Sequence, residues 1–276
     1  MTTAPTSLAG RKLLITGVVN DESIAYATAV AAIEAGADIV LSGLGRDLEA
    51  TSRAADGLRG DVEVIEADLT DPAHLRRLTD HLDATWGHLD GALHAVAFAP
   101  REALAGDFLA AGSDAVSRAF RTSAISYASL ASVVASLAPP SGASLVGLDF
   151  DAAGAWPVYN WMGVCKAALE SVNRYVARDL GPRRIRANLI AAGPLHTRAA
   201  GGIPDFERLT EAWEQQSPLP WDAKDCAPVA DTACFLLSDA SRMISGEILH
   251  VDGGYHAMAA PLRGGDEVRP GRPATP

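Results

Sequence analysis

Cysteine is nearly absent from this chain, and its scarcity excludes several classes of protein. Only three of the 276 residues are Cys (Cys165, Cys226 and Cys234). Their spacing fits neither a metal knot nor a disulfide framework, which points to a reducing compartment. Aromatic residues make up only 6%, against 48% hydrophobic residues in all. A core must therefore be built from Ala, Val, Leu and Ile, as in layered helix–sheet proteins. Basic residues are outnumbered, 23 against 34 acidic, for a net charge of −11. That balance argues against a general binder of nucleic acid or of anionic membranes. No uncharged apolar run approaches the roughly 20 residues of a membrane span; the nearest, Ala124–Ala138, is short and studded with serine. The opening stretch MTTAPTSLAG lacks the basic start and apolar core of a secretory signal. The expectation is a cytoplasmic protein with no integral membrane association.

Familiar signatures are missing as well. Gly17 is followed by Val18-Val19-Asn20-Asp21-Glu22-Ser23, not by the two further glycines of the dinucleotide fingerprint. No Gly-X-Ser-X-Gly elbow occurs. His74, His81 and His88 recur at intervals of seven, but without the His-X3-His spacing of a metal site, and Gly87 breaks any helix before His88. A surface row is the expectation, and no metal is assigned.

What is present is a regular alternation. Apolar, strand-like runs lie at Lys12–Thr16, Asp38–Ser42, Val62–Ala67, Leu89–Ala95, Ser144–Asp149, Arg186–Ala191 and Glu247–Val251. Between them lie helical patterns at Ile24–Ala35, Asp47–Leu58, Pro72–Trp86, Asp114–Ala138 and Val158–Leu180, with two more near Phe206–Gln216 and Pro228–Leu237. Such alternation predicts a Rossmann-like, doubly wound α/β fold, with a seven-stranded parallel sheet covered by helices on both faces. No repeat or interior linker divides it, so one domain is expected over residues 1–260. The Pro/Gly/Arg-rich segment 261–276 reads as a disordered tail.

In such a sheet ligands bind beyond the carboxyl ends of the strands. Gly17 to Ile24 follow the first strand, and Ser23 is either a plain helix cap or a cap that also donates to a phosphate. The second strand ends without the carboxylate that would clamp ribose hydroxyls and repel a 2′-phosphate. Nothing there bars NADPH on charge grounds, and Arg46 is either solvated or a partner for that phosphate. Tyr159 and Lys166 lie seven residues apart after the fifth strand. Seven helical steps of about 100° bring both to one face, about 10.5 Å apart. A phenol there can protonate or hydrogen-bond an oxyanion, and an ammonium can lower its pKa. A random pair of this kind far more often describes a solvated helix face.

Together these residues resemble the NAD(P)H-dependent enoyl-acyl-carrier-protein reductases of the FabI/InhA type, within the short-chain dehydrogenase/reductase superfamily. The resemblance spans about Leu8 to His256. It rests on ITGVVNDESIAYA (Ile15–Ala27), HAVAFAP (His94–Pro100), the Leu148–Gly181 stretch with its Tyr-X6-Lys pair, RANLIAAGPLHT (Arg186–Thr197) and SGEILHVDGG (Ser245–Gly254). Most carbonyl-reducing relatives carry Tyr-X3-Lys, which is absent here.

The resemblance implies NADH as cofactor, with Gly17, Val18, Ser23 and Ile24 on its pyrophosphate side and Leu44, Asp68 and Leu69 around adenosine. Val96 and Ala97 would line the cofactor channel, Leu195 and Thr197 would position carboxamide and pyrophosphate, and Lys166 would bond the nicotinamide ribose. Tyr159 would donate to the thioester oxygen and Phe150 would stand beside the transferred hydride. Phe98, Ala99, Phe150, Tyr159 and Met162 would line the substrate. The implied substrate is an enoyl thioester on acyl carrier protein or coenzyme A, reduced in fatty-acid elongation by a homotetramer, with helices Asp114–Ala138 and Val158–Leu180 at the interface. Arg198 and Arg208 would be candidates to meet an acidic carrier, unless they are simply solvated. Two residues depart from the family pattern: Ala97 replaces a glycine and His196 an arginine. The alternatives are a carbonyl-reducing enzyme of the superfamily and a non-catalytic dinucleotide-binding protein of the same fold.

Overall fold

The computed structural model describes residues 6–198 and 200–259. Seven strands, β1 (Lys12–Thr16), β2 (Asp38–Gly43), β3 (Glu63–Glu66), β4 (Gly91–His94), β5 (Ala143–Asp149), β6 (Ile185–Ala192) and β7 (Ile248–Val251), make one sheet in the order β3-β2-β1-β4-β5-β6-β7. Every pairing is parallel. The doubly wound arrangement expected from the alternation is thus the one found.

Side chains alternate across a strand, and here the alternation divides two cores. Leu13 and Ile15 of β1, Ile39 and Leu41 of β2 and Val146 of β5 bury on one face. They meet α1 (Ile24–Glu34), α2 (Leu48–Ala55) and α9 (Ala227–Leu237). Leu14, Val40, Ala92 and Leu145 bury on the other, against α3 (Pro72–Trp86), α6 (Ser126–Leu137) and α7 (Asn160–Leu180). The near-continuous apolar strands reflect burial on both faces. A third cluster, around Phe150, Tyr159, Met162, Cys165 and Trp213, lies beyond the end of β5.

The helices depart from expectation in three places. The long helix expected over Asp114–Ala138 is α5 (Ser113–Phe120), a π-helical turn at Arg121–Ile125, and α6. A short helix α4 (Arg101–Leu104) and a 3-10 turn at Phe108–Ala110 occupy a stretch read as loop; four residues are too few to show a helical period. Helix α7 begins at Asn160, not Val158, because Val158 has a positive φ (62°) that an α-helix does not admit, and Tyr159 is the N-cap. Residues 207–216 form α8 (Glu207–Gln216). The expected tail at 261–276 lies outside the described residues.

Candidate active site

The strand order reverses direction between β1 and β4, and a crevice opens there at the strands' carboxyl ends. Three features of β1 and the turn after it shape the crevice. Thr16 is buried, donates from its hydroxyl to the Leu93 carbonyl at 2.9 Å, and accepts from the Ala95 amide at 3.2 Å. Gly17 then turns at φ 83°, and a Cβ there would overlap the carbonyl of Ala95. Only glycine lets the two chain segments approach this closely. Beyond it, the Thr51 hydroxyl donates to the buried Val18 carbonyl at 2.7 Å and fixes the turn to α2.

Ser23 caps α1. Its hydroxyl accepts from the Tyr26 amide at 3.1 Å and donates to the Asn20 carbonyl at 2.9 Å, so its proton is already used within the turn. The free donors are the backbone amides of Ile24 and Ala25, in the first turn where no intrahelical partner exists. With the helix dipole behind them they suit an anion. In the same turn the side-chain oxygen of Asn20 is buried without a partner.

At the adenosine end Ser42 is buried and Gly43 has room for no side chain, since a Cβ would lie 2.7 Å from the Thr51 hydroxyl. Leu44 is half-buried at the mouth. Arg46 is exposed, as a solvated residue would be. It pairs with Asp47 at 3.2 Å and lies over the Phe98 ring at 5.4 Å. Arg198, read as either solvated or a carrier contact, is exposed and reaches Asp47 at 3.6 Å from the far side of the crevice. Asp68 accepts from the amide and hydroxyl of Thr70 at 2.8 and 2.7 Å, while its own amide donates to His74 Nδ1 at 3.2 Å. His74 thus braces that turn. His81 and His88 make separate pairs with Glu63 and Asp90, and among the described residues no group of His, Cys, Asp or Glu converges on a metal position. Leu69 is buried beside Asp68.

The reactive end is built by β4, β5 and α7. After β4, Val96 is half-buried, Ala97 is exposed, and Ala99 is buried. Ser123, in the π-helical turn, exchanges hydrogen bonds with the amide and carbonyl of Phe98, both at 3.0 Å. The Arg118 guanidinium lies 5.0 Å from the Phe98 ring. After β5, Phe150 packs on Tyr159 with ring centroids 5.0 Å apart, and Met162 is buried in the same cluster.

Tyr159 occupies the N-cap of α7, so the helical arithmetic starts one residue too early. The pair still reaches the buried end of β5: Tyr159 is 8% and Lys166 6% exposed. The phenol makes no hydrogen bond among the described residues. Burial, and then the negative charge of Asp149, push its pKa up; the expected lowering by Lys166 is not found. The phenol is therefore a protonated donor rather than a phenolate. Lys166 Nζ donates to the Leu148 carbonyl at 2.8 Å and lies 3.9 Å from Asp149. Burial lowers the Lys166 pKa while Asp149 opposes that effect, and burial raises Asp149 to about 7. Burial outweighs attraction in both. Cys165 is a buried thiol raised to about 11 by burial.

Two features escaped the sequence. One is an aromatic wall: Trp156 lies 5.3 Å from Phe150 and 5.1 Å from Trp213, which stacks on Tyr255 at 3.8 Å. Its members come from three separate stretches, so no spacing reveals it. The other is the buried charge of Asp149. Its only signal was its place before Phe150 at a strand end. The loop after β6 is fixed by Trp221, which donates to the Pro194 carbonyl at 2.8 Å, and by the His196 amide, which donates to the Ala223 carbonyl at 2.7 Å. Leu195 is buried there, and Thr197 accepts from the Ala200 amide at 3.2 Å.

Residues 17–256 match the family model described as enoyl-(acyl carrier protein) reductase. The chain belongs to that family. It is 41% identical over 261 residues to the enoyl-[acyl-carrier-protein] reductase [NADH] of Mycolicibacterium smegmatis, covering 90% of this chain and 96% of that protein. It is 39% identical to the corresponding protein of Neisseria meningitidis serogroup B, covering 93% and 99%. The Escherichia coli K12 protein of the same name is 35% identical, with 91% and 96% covered. Membership gives the crevice a dinucleotide to be tested against. The glycine cradle against Ala95, the free amides opening α1 and the exposed Ala97 fit one.

Proposed function

We propose that this chain is an NADH-dependent enoyl-[acyl-carrier-protein] reductase, reducing the trans-2 double bond of an enoyl thioester during fatty-acid elongation. The observation that carries the reading is a buried, protonated phenol with an unused donor, Tyr159, packed on Phe150 and two helical turns from a buried ammonium. The family's match over residues 17–256 supports it.

On this reading Gly17, Val18, Ser23 and Ile24 border the pyrophosphate, the last with its backbone amide. Leu44, Asp68 and Leu69 border the adenosine, Val96 and Ala97 the channel, and Leu195 and Thr197 the carboxamide side. Lys166 holds the nicotinamide ribose with the ammonium protons that Leu148 does not use. Bound NADH supplies a hydride to the β-carbon of the substrate. Tyr159 donates a hydrogen bond to the thioester oxygen as negative charge builds there. Removing one such donor costs about 2.7–4 kcal/mol in enzymes where it has been measured. Phe98, Ala99, Phe150 and Met162 shield the reacting carbons from water.

The substrate arrives on acyl carrier protein or coenzyme A. The family reading also supplies a homotetramer, supported by exposed Ile125, Val164 and Tyr175 along the π-turn and α7. The catalytic unit is one domain over residues 1–260, and the compartment is the cytoplasm; no helix among the described residues is long and apolar enough to cross a membrane. Oxidation of NADH followed at 340 nm with trans-2-enoyl thioesters tests the function, with saturated thioesters as controls. Activity on ketones alone would overturn it.

A further inference from the structure

Asp149 is the least solvated charge-bearing group near the site. Its side chain is fully buried, and among the described residues neither carboxylate oxygen accepts a well-formed hydrogen bond, although the adjacent Phe150 amide favours its charged form. Such a group is expensive to keep without a counter-charge. The groups facing it are Lys166 and Glu170 from α7, Tyr127 from α6, Tyr159 before α7, and Asp151 from its own strand end. Lys166 is the one cation among them, with Nζ at 3.9 Å, and His94 of β4 feels the charge of the same ammonium. The Lys166 side chain is itself only 7% exposed, and its hydrogen bond to a protein atom goes to the neutral Leu148 carbonyl. A buried amine bonded only to a carbonyl loses its proton easily. The carboxylate at 3.9 Å opposes that loss.

We propose that Asp149 is a positioning residue that acts through Lys166: its buried carboxylate keeps the ammonium charged and directed along β5, where it can hold the nicotinamide ribose. The inference rests on the function proposed above. Neither atom of the carboxylate need touch substrate or cofactor. Glu170 and Asp151 share the region but do not replace Asp149, since neither forms an ion pair with Lys166.

The test is NADH binding by quenching of tryptophan fluorescence, in the full chain. Asp149→Asn should weaken NADH binding about tenfold near pH 8, or about 1.4 kcal/mol. Affinity should recover as the pH is lowered, because a Lys166 without its counter-charge regains its proton as the solution becomes more acidic. In a Lys166→Met background the same Asp149→Asn change should alter affinity less than about twofold, because a residue acting only through its partner adds nothing once the partner is gone. Asp149→Ser, smaller and also neutral, gives the same reading where the asparagine chain is recovered poorly. A loss of equal size in both backgrounds, or one independent of pH, would overturn the proposal. A protein that shows the expected binding pattern but reduces no enoyl thioester would instead overturn the function and leave the role of Asp149 standing.

Discussion

Replacing Gly17 by alanine places a methyl group on the carbonyl of Ala95, 2.7 Å from the carbonyl carbon and overlapping its oxygen. Both sides are backbone, so no side-chain rotation relieves the clash. The left-handed φ of 83° adds a penalty of about 1–2 kcal/mol for any residue with a Cβ. Overpacking a rigid site costs a further 1–3 kcal/mol or so. The sum, about 2–5 kcal/mol, is a large share of a typical total stability of about 5–15 kcal/mol. For a chain of this size each kcal/mol shifts the midpoint by about 2–4 °C, so Gly17→Ala should melt roughly 4–20 °C lower. Calorimetry in parallel with NADH titration checks this. NADH affinity should fall more steeply than stability, because the displaced turn carries the amides that face the pyrophosphate. A variant that melts within about 1 °C of the parent and binds NADH normally would refute the account of the crevice.

Two further perturbations follow from single contacts. Thr51→Val strands the buried Val18 carbonyl that the hydroxyl now serves, so urea denaturation should show a loss of about 1–3 kcal/mol at unchanged slope. An unchanged midpoint would mean that this bond does not hold the turn. His94 is fully buried, and its pKa is pushed down to about 3, chiefly by burial. The folded chain therefore binds this proton less readily than the unfolded one. The stabilising effect is complete above pH 6.5 and is lost as the pH falls toward 3, at most about 4–5 kcal/mol over the whole range. His94→Gln should flatten that acid limb; a limb of the same steepness in both proteins would assign it to carboxylates instead.

Much of the fold was legible because burial on both sheet faces writes itself as short apolar runs, and all seven appear where β1 to β7 lie. The crevice followed from topology: Gly17, Ser23, Asp68 and Ala97 stand at or just after strand ends or helix starts, and Lys166 lies two turns into α7. Positions that depend on a single φ were less legible. Val158 adopts positive φ, which a β-branched side chain does not announce, and this moved the start of α7 past Tyr159. The partner of Arg198 was also hidden, since Asp47 is distant from it in sequence. Asp149 looked like one more strand-end carboxylate until its burial and missing hydrogen bonds were seen. The aromatic wall of Trp156, Trp213 and Tyr255 arises from long-range packing alone.

The central claim is that the Tyr159 phenol donates to the thioester oxygen during reduction by NADH. Steady-state turnover of Tyr159→Phe with a trans-2-enoyl thioester, measured beside NADH binding, tests it most directly. Loss of a transition-state donor predicts kcat lower by about 100- to 1,000-fold, with NADH affinity little changed because Lys166 and the Gly17 turn remain. A kcat equal to that of the parent protein would contradict the account.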